Sequence, residues 1–230
     1  GRINPLNSYA SPTPVIEENR LYCDFGAFGT ACLDATSGEV LWTRHLPITH
    51  FVGPGSSPAI CGDLLILVRD GGFKQYVTGL NKRTGESVWK TNRPKIAVNV
   101  PPLRKAFSTP LLIESAGGKQ LIIPAAQWIV AYEPRTGREI WRASYGSGFA
   151  IPRPIFGHGL VYACTGISGR LWAIRVDGKG DVTNTHVVWK VRKQIPRKSS
   201  PILVGDAIYM VSNGGVATCL DAATGAERWK

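Results

Sequence analysis

No stretch of this chain approaches the roughly 20 consecutive apolar residues that a membrane-crossing helix requires. The longest apolar runs, such as Leu64 to Val68, are strand-sized. A helical membrane span is therefore excluded. No two cysteines are adjacent and none forms a Cys-x-x-Cys pair, which removes the usual zinc and redox spacings. The five present, Cys23, Cys32, Cys61, Cys164 and Cys219, are odd in number, so at least one is unpaired within the chain. They are expected to be small packing residues, Cys32 and Cys219 each standing two positions before an Asp. His45, His50, His158 and His186 lack the i, i+4 spacing of a helical metal site and are expected in surface loops. Gly53-Pro54-Gly55 and Gly146-Ser147-Gly148 open no helix, so they are turns and not phosphate cradles. The chain begins at Gly1 with no Met and no basic-then-apolar leader; any targeting segment is expected to be removed or to lie outside it.

Acidic residues are also scarce. Lys plus Arg number 27 against 16 Asp plus Glu, a net charge of +11 that favours an anionic partner through long-range attraction. The basic residues are dispersed and form no continuous stripe, so no specific nucleic-acid partner is expected. With 43% hydrophobic residues, 26 Gly and 16 Pro, the composition is that of a folded, turn-rich protein.

What the chain does contain is a repeat. Leu33-Asp34-Ala35-Thr36-Ser37-Gly38-Glu39-Val40-Leu41-Trp42 returns as Leu80-Asn81-Lys82-Arg83-Thr84-Gly85-Glu86-Ser87-Val88-Trp89. It returns again from Tyr132 to Trp141 and from Leu220 to Trp229, with a degenerate copy ending at Trp189 that carries extra residues around Gly178 to Thr185. A second marker, a Ser-Pro or Thr-Pro, recurs with the same period at Pro12, Pro58, Pro110 and Pro201, with Pro154 as a variant. The second unit predicts four strands: Ala59 to Cys61, Leu64 to Arg69 after a Gly62-Asp63 turn, Gln75 to Leu80, and Ser87 to Thr91. Four strands per unit at a period of 40 to 52 residues between tryptophans is the measure of a propeller blade. The blades are expected at about 11–45, 57–91, 108–143, 152–191 and 200–230 of one domain. Within each, the Asp or Asn hydrogen-bonds backbone two residues on and the Gly supplies a left-handed conformation, so the turn is encoded locally. The Trp four residues later offers a large apolar face for the neighbouring blade.

The Asp-x-x-Thr-Gly-x-x-x-Trp element resembles the repeat of pyrroloquinoline-quinone-type (PQQ-like) propellers. That family includes quinone-dependent alcohol and glucose dehydrogenases and the outer-membrane assembly lipoprotein of bacteria. The resemblance covers essentially the whole chain. It implies an all-β fold, a β-propeller of four-stranded antiparallel blades, as an incomplete ring: about 6 to 8 blades need a longer parent. It also implies that Trp42, Trp89, Trp141, Trp189 and Trp229 join adjacent blades. Its quinone enzymes hold their cofactor against a disulfide between adjacent cysteines, beside a calcium site. No such pair exists here. Asp34 and Asp221 sit in the repeated turns, where local hydrogen bonding is their expected role. The expectation is accordingly no enzyme, no catalytic, cofactor-binding or metal-binding residue, and no cofactor. PQQ and calcium enter only under a rival reading, in which the chain is part of a quinone-dependent oxidoreductase whose active-site residues lie outside it.

In a four-stranded meander successive connections alternate ends, so the loop between blades shares a face with the turn between strands two and three. That face is expected to display 44–55, 69–74, 91–107, 144–151 and 192–199. A protein partner or anionic ligand is expected to meet its basic residues Arg93, Lys95, Arg104, Lys105, Arg153, Arg192, Lys193, Arg197 and Lys198. By resemblance the protein is an exported bacterial binding scaffold, periplasmic or extracellular.

Overall fold

A computed structural model describes residues 7–50, 52–146, 148–167 and 169–230. Five sheets, each built on four antiparallel strands, follow one another in chain order. The first holds β1 (Val15–Glu17), β2 (Arg20–Asp24), β3 (Thr30–Asp34) and β4 (Val40–Arg44). The second holds β5 (Ala59–Cys61), β6 (Leu64–Asp70), β7 (Gln75–Asn81) and β8 (Ser87–Asn92), each within a residue of the predicted strand. The third holds β9 (Leu111–Ser115), β10 (Gly118–Pro124), β11 (Trp128–Tyr132) and β12 (Glu139–Ser144). The fourth comprises β13 (Ile155–Gly157), β14 (Leu160–Thr165), β15 (Arg170–Arg175) and β17 (Val187–Val191). Between its last two strands lies the two-residue β16 (Gly180–Asp181). β18 (Ile202–Val204), β19 (Ala207–Val211), β20 (Ala217–Asp221) and β21 (Glu227–Trp229) form the fifth. Each is a simple up-and-down meander, and together they are five blades of a β-propeller.

Burial along the strands explains this architecture. β6 and β14 are buried at nearly every position and read as unbroken apolar runs, because a middle strand is covered on both faces by neighbouring blades. The outermost strands β4 and β8 expose nearly everything but their tryptophan. Four apolar clusters fill the four joints, for example Leu65, Leu67 and Leu80 with Tyr22 between blades 1 and 2, and Ile122, Trp141, Val161 and Ile174 between blades 3 and 4.

Three joints share one polar contact. The indole N–H of Trp42 donates to the Lys82 carbonyl at 3.1 Å, that of Trp89 to the Pro134 carbonyl at 3.1 Å, and that of Trp189 to the Ala222 carbonyl at 3.2 Å. Each acceptor is the second residue of the next blade's turn, and that turn's glycine lies under the ring. A Cβ on Gly85 would stand 2.7 Å from the Trp42 ring, so only glycine fits. At the joint of blades 3 and 4 the pattern changes. Trp141, fully buried, donates to Gln120 Oε1 of its own blade at 2.8 Å, and Gln120 Nε2 donates to the Val176 carbonyl at 2.9 Å. The glutamine is thus a spacer between indole and acceptor. The added residues that follow, 178–185, fold back so that β16 pairs in parallel with β12, making a fifth strand of the third sheet.

The proline marker also has a mechanism. The residue before the proline donates its N–H to the hydroxyl of its counterpart one blade on: Thr13 to Ser57 at 2.9 Å, Ser57 to Thr109 at 3.1 Å, Arg153 to Ser200 at 2.9 Å. The register places Thr13-Pro14 in the first blade, not the Ser11-Pro12 that the spacing suggested.

Candidate functional site

The meander sends the connections between strands two and three, and from one blade to the next, to one face of the molecule. Among the described residues these are 25–29, 45–50, 52–58, 71–74, 93–110, 125–127, 145–146, 148–154, 166–167, 169, 192–201 and 212–216, and they contain no Asp or Glu. Lys74, Lys95, Arg153, Arg192, Lys193, Arg197 and Lys198 lie exposed there and Arg104 half-buried. The opposite face carries the carboxylates, with Glu18, Glu39, Asp63, Glu86, Glu133, Asp177, Asp181 and Asp206 in or beside its turns. Basic residues lie on both faces, but only on the turn face are they balanced by carboxylates, so the net positive charge of the chain is concentrated on the loop face, which raises its attraction for an anion.

Two residues expected on that basic surface are not there. Arg93 is buried, its guanidinium bidentate on Asp70 at 2.8 and 2.9 Å and its remaining nitrogen 3.2 Å from the Tyr132 hydroxyl. Burial pushes the Asp70 carboxyl up, opposed by Arg93, whose own pKa rises because of that carboxylate after burial has pulled it down. Lys105 is also buried, its ammonium 5.4 Å from the Phe149 ring centre and 5.8 Å from that of Phe107, and burial pulls its pKa down. A second buried pair joins blades 1 and 2: Arg69 is bidentate on Asp24 at 2.7 and 2.9 Å and reaches Thr30 at 2.9 Å. Both carboxylates at this end of the strands are thus consumed by structural arginines.

Near the propeller axis the connections leading into all five blades meet around a cavity of about 420 Å³. Its walls are Val52, Pro54, Phe107, Phe149 and Ile151, with Asn7 and Ser11 on one side and Lys198 on the other. Asn7 Nδ2 donates to the Val52 carbonyl at 2.7 Å, tying the first segment to the second. A second hollow of about 340 Å³ continues past Phe149 and Ile151 to Ile167, Asn213, Arg197 and Lys198. Phe107 and Phe149 lie 6.1 Å apart and 20° from parallel. Phe149 holds φ at +62°, a left-handed conformation that a bulky side chain rarely adopts. Its N–H donates to the Lys105 carbonyl at 3.1 Å and the Phe107 N–H to the Ala150 carbonyl at 2.7 Å, which pins the segment. Gly148 passes so close to the Leu103 carbonyl that no Cβ fits.

Beneath this groove a space of about 10 Å³, the size of one water, is lined by His50, Asp24, Arg69, Asp70 and Ser56 and roofed by Pro54 and Phe107. His50 is not the surface-loop residue that its sequence context suggested. Burial, reinforced by the Arg69 charge, lowers its pKa to about 4, so the imidazole is neutral. His50 Nδ1 and Arg69 Nε have no hydrogen-bond partner among the described residues.

Asp34 and Asp221 stand where the repeat placed them. Asp34 Oδ1 accepts the N–H groups of Thr36 and Ser37, both at 2.8 Å, and Asp221 Oδ1 those of Ala223 and Thr224 at 3.1 and 2.9 Å. The Arg228 hydrogen bond, then those of the turn, hold the Asp221 carboxyl at about 2. Cys164 is buried and its thiol pushed up to about 12, which makes it unreactive at neutral pH.

These features define the class, a propeller of PQQ-like repeats. The family described as outer membrane protein assembly factor BamB matches residues 5–230, and the chain belongs to it. Its backbone is similar to BamB from Moraxella catarrhalis, with a TM-score of 0.71 and 18% identity, over 95% of this chain and 60% of that one. It is also similar to the quinohemoprotein alcohol dehydrogenase of Comamonas testosteroni, with a TM-score of 0.69 and 15% identity, over 94% of this chain and 42% of that one. In sequence it is 24% identical to a tetrathionate hydrolase of Acidithiobacillus ferrooxidans over 94% of this chain and 44% of the relative. The chain spans less than two thirds of each of these proteins.

Proposed function

We propose that this chain is a non-catalytic binding scaffold of an exported bacterial protein, whose cationic loop face meets an acidic partner protein. The observation that carries the reading is the segregation of charge: every connection on that face lacks a carboxylate, and the two carboxylates at its strand ends are buried in ion pairs. Membership of the BamB family supports it. Surface cations attract from a distance and are screened by salt, so the association is salt-sensitive. The test is capture from a bacterial extract on the immobilised chain at low and high salt, with the recovered partner purified and rebound. Binding lost at high salt and in an Arg192→Glu, Lys193→Glu variant supports the reading; a partner that binds both chains equally sinks it.

The match to a tetrathionate hydrolase and the likeness to alcohol dehydrogenases favour a second reading, in which the chain is part of an enzyme whose reacting groups lie elsewhere. Incubating the full-length protein with quinone and calcium, then measuring dye reduction on alcohols and sugars and turnover of tetrathionate, separates the two.

A further inference from the structure

Building on the scaffold reading, we infer that the axial groove takes an extended acidic peptide, one apolar side chain seated in each lobe and a carboxylate on Lys198 between them. The shape of the two hollows, the charge around them and the backbone between them converge on it. The two hollows share Phe149, Ile151 and Lys198, so they are lobes of one groove divided by a wall. Their volumes, about 420 and 340 Å³, suit large side chains and fall in the range of ligand sites. The charge around them is of one sign, Arg197 and Lys198 standing at the rim with no carboxylate in any connection on this face. Finally, the dividing wall is the strained residue. Phe149 is held at φ +62° with two backbone hydrogen bonds pinning its segment, a conformation that is costly for a bulky side chain and that clusters at ligand-binding segments.

An apolar pocket gives a peptide its affinity, while cations at its rim select acidic over basic sequence. Chain extension lets residues i and i+2 of one strand enter the two lobes while the residues between them turn outward to the basic rim.

The strain at Phe149 supplies a clean test. Phe149→Gly removes the ring while giving the backbone the residue that tolerates a positive φ, so folding is preserved. The probe is a fluorescein-labelled pentapeptide of aspartates alternating with phenylalanine and leucine. Its controls have lysine for aspartate and alanine for the apolar residues, together with vesicles of anionic phosphatidylglycerol. The expected result is saturable binding of the acidic apolar peptide, weakened at least tenfold by Phe149→Gly with no fall in Tm, and at least tenfold by the Arg197→Glu, Lys198→Glu pair. Equal binding of the alanine peptide, unchanged affinity in Phe149→Gly, or vesicles that bind while the peptide does not would each overturn the groove assignment. Loss of peptide binding alone, with the salt-sensitive partner still captured, leaves the scaffold reading intact.

Discussion

The two faces of the propeller use the same residue type in opposite ways. On the turn face the carboxylates sit near the surface, and those that open the repeated turn, Asp34, Glu133 and Asp221, serve the chain locally by accepting backbone N–H groups two and three residues on. On the loop face they are few and buried, each clamped by an arginine distant in sequence. A local carboxylate shapes one turn; a buried one holds blades together and leaves the surrounding cations unneutralised. Stability and binding surface are thereby decoupled, because the loop face presents positive charge without depending on it to fold.

The largest break in this comparison comes from Asp70→Ala. It leaves the Arg93 guanidinium buried without its counter-charge, and denaturant unfolding is expected to show a loss of about 3–5 kcal/mol. Gln120→Ala is next. It strands the Trp141 N–H and the Val176 carbonyl inside the joint of blades 3 and 4, for an expected loss of about 1–3 kcal/mol by the same measurement. On the turn face Asn81→Ala removes acceptors for the N–H groups of Arg83 and Thr84, which water replaces in part, and about 0.5–1.5 kcal/mol is expected. A further break in the comparison is a pH dependence. The folded His50 resists protonation until about pH 4 whereas the unfolded imidazole titrates near 6.5, so its contribution is complete above that value and is lost as pH falls toward 4. Thermal melts between pH 7 and 4.5 are expected to show this slope, and His50→Gln to flatten it.

Much of the fold was legible because it is encoded over short distances. The turn needs an Asx residue and a glycine four apart, the tryptophan follows at a fixed offset, and the strands alternate or run apolar by position in the blade. What escaped the sequence depends on residues far apart in the chain. Nothing near Arg93 or Lys105 distinguishes them from Lys95 or Lys198, because their burial is decided by Asp70 and by two phenylalanines from different connections. Gln120 stands in an ordinary strand, and its part as a spacer depends on Trp141 and on the Val176 carbonyl of the next blade, both distant in sequence. The hydroxyl contacts that explain the proline marker link residues about one blade apart, so an adjacent Ser-Pro and Thr-Pro in the first unit could be told apart only in space. Of the groove, the connections and their charge were readable, whereas the left-handed Phe149 and the His50 chamber were not.

The short strand β16 gives the third blade something the others lack. It covers the rim strand β12, whose counterparts β4, β8 and β21 pair on one side only. With Val182 donating to Arg142 at 2.9 Å and Ser144 to Thr183 at 2.8 Å, the third and fourth blades are laced by main chain as well as by side chains. In deuterium exchange the amides of this pair are expected to open later than those of the flanking blades.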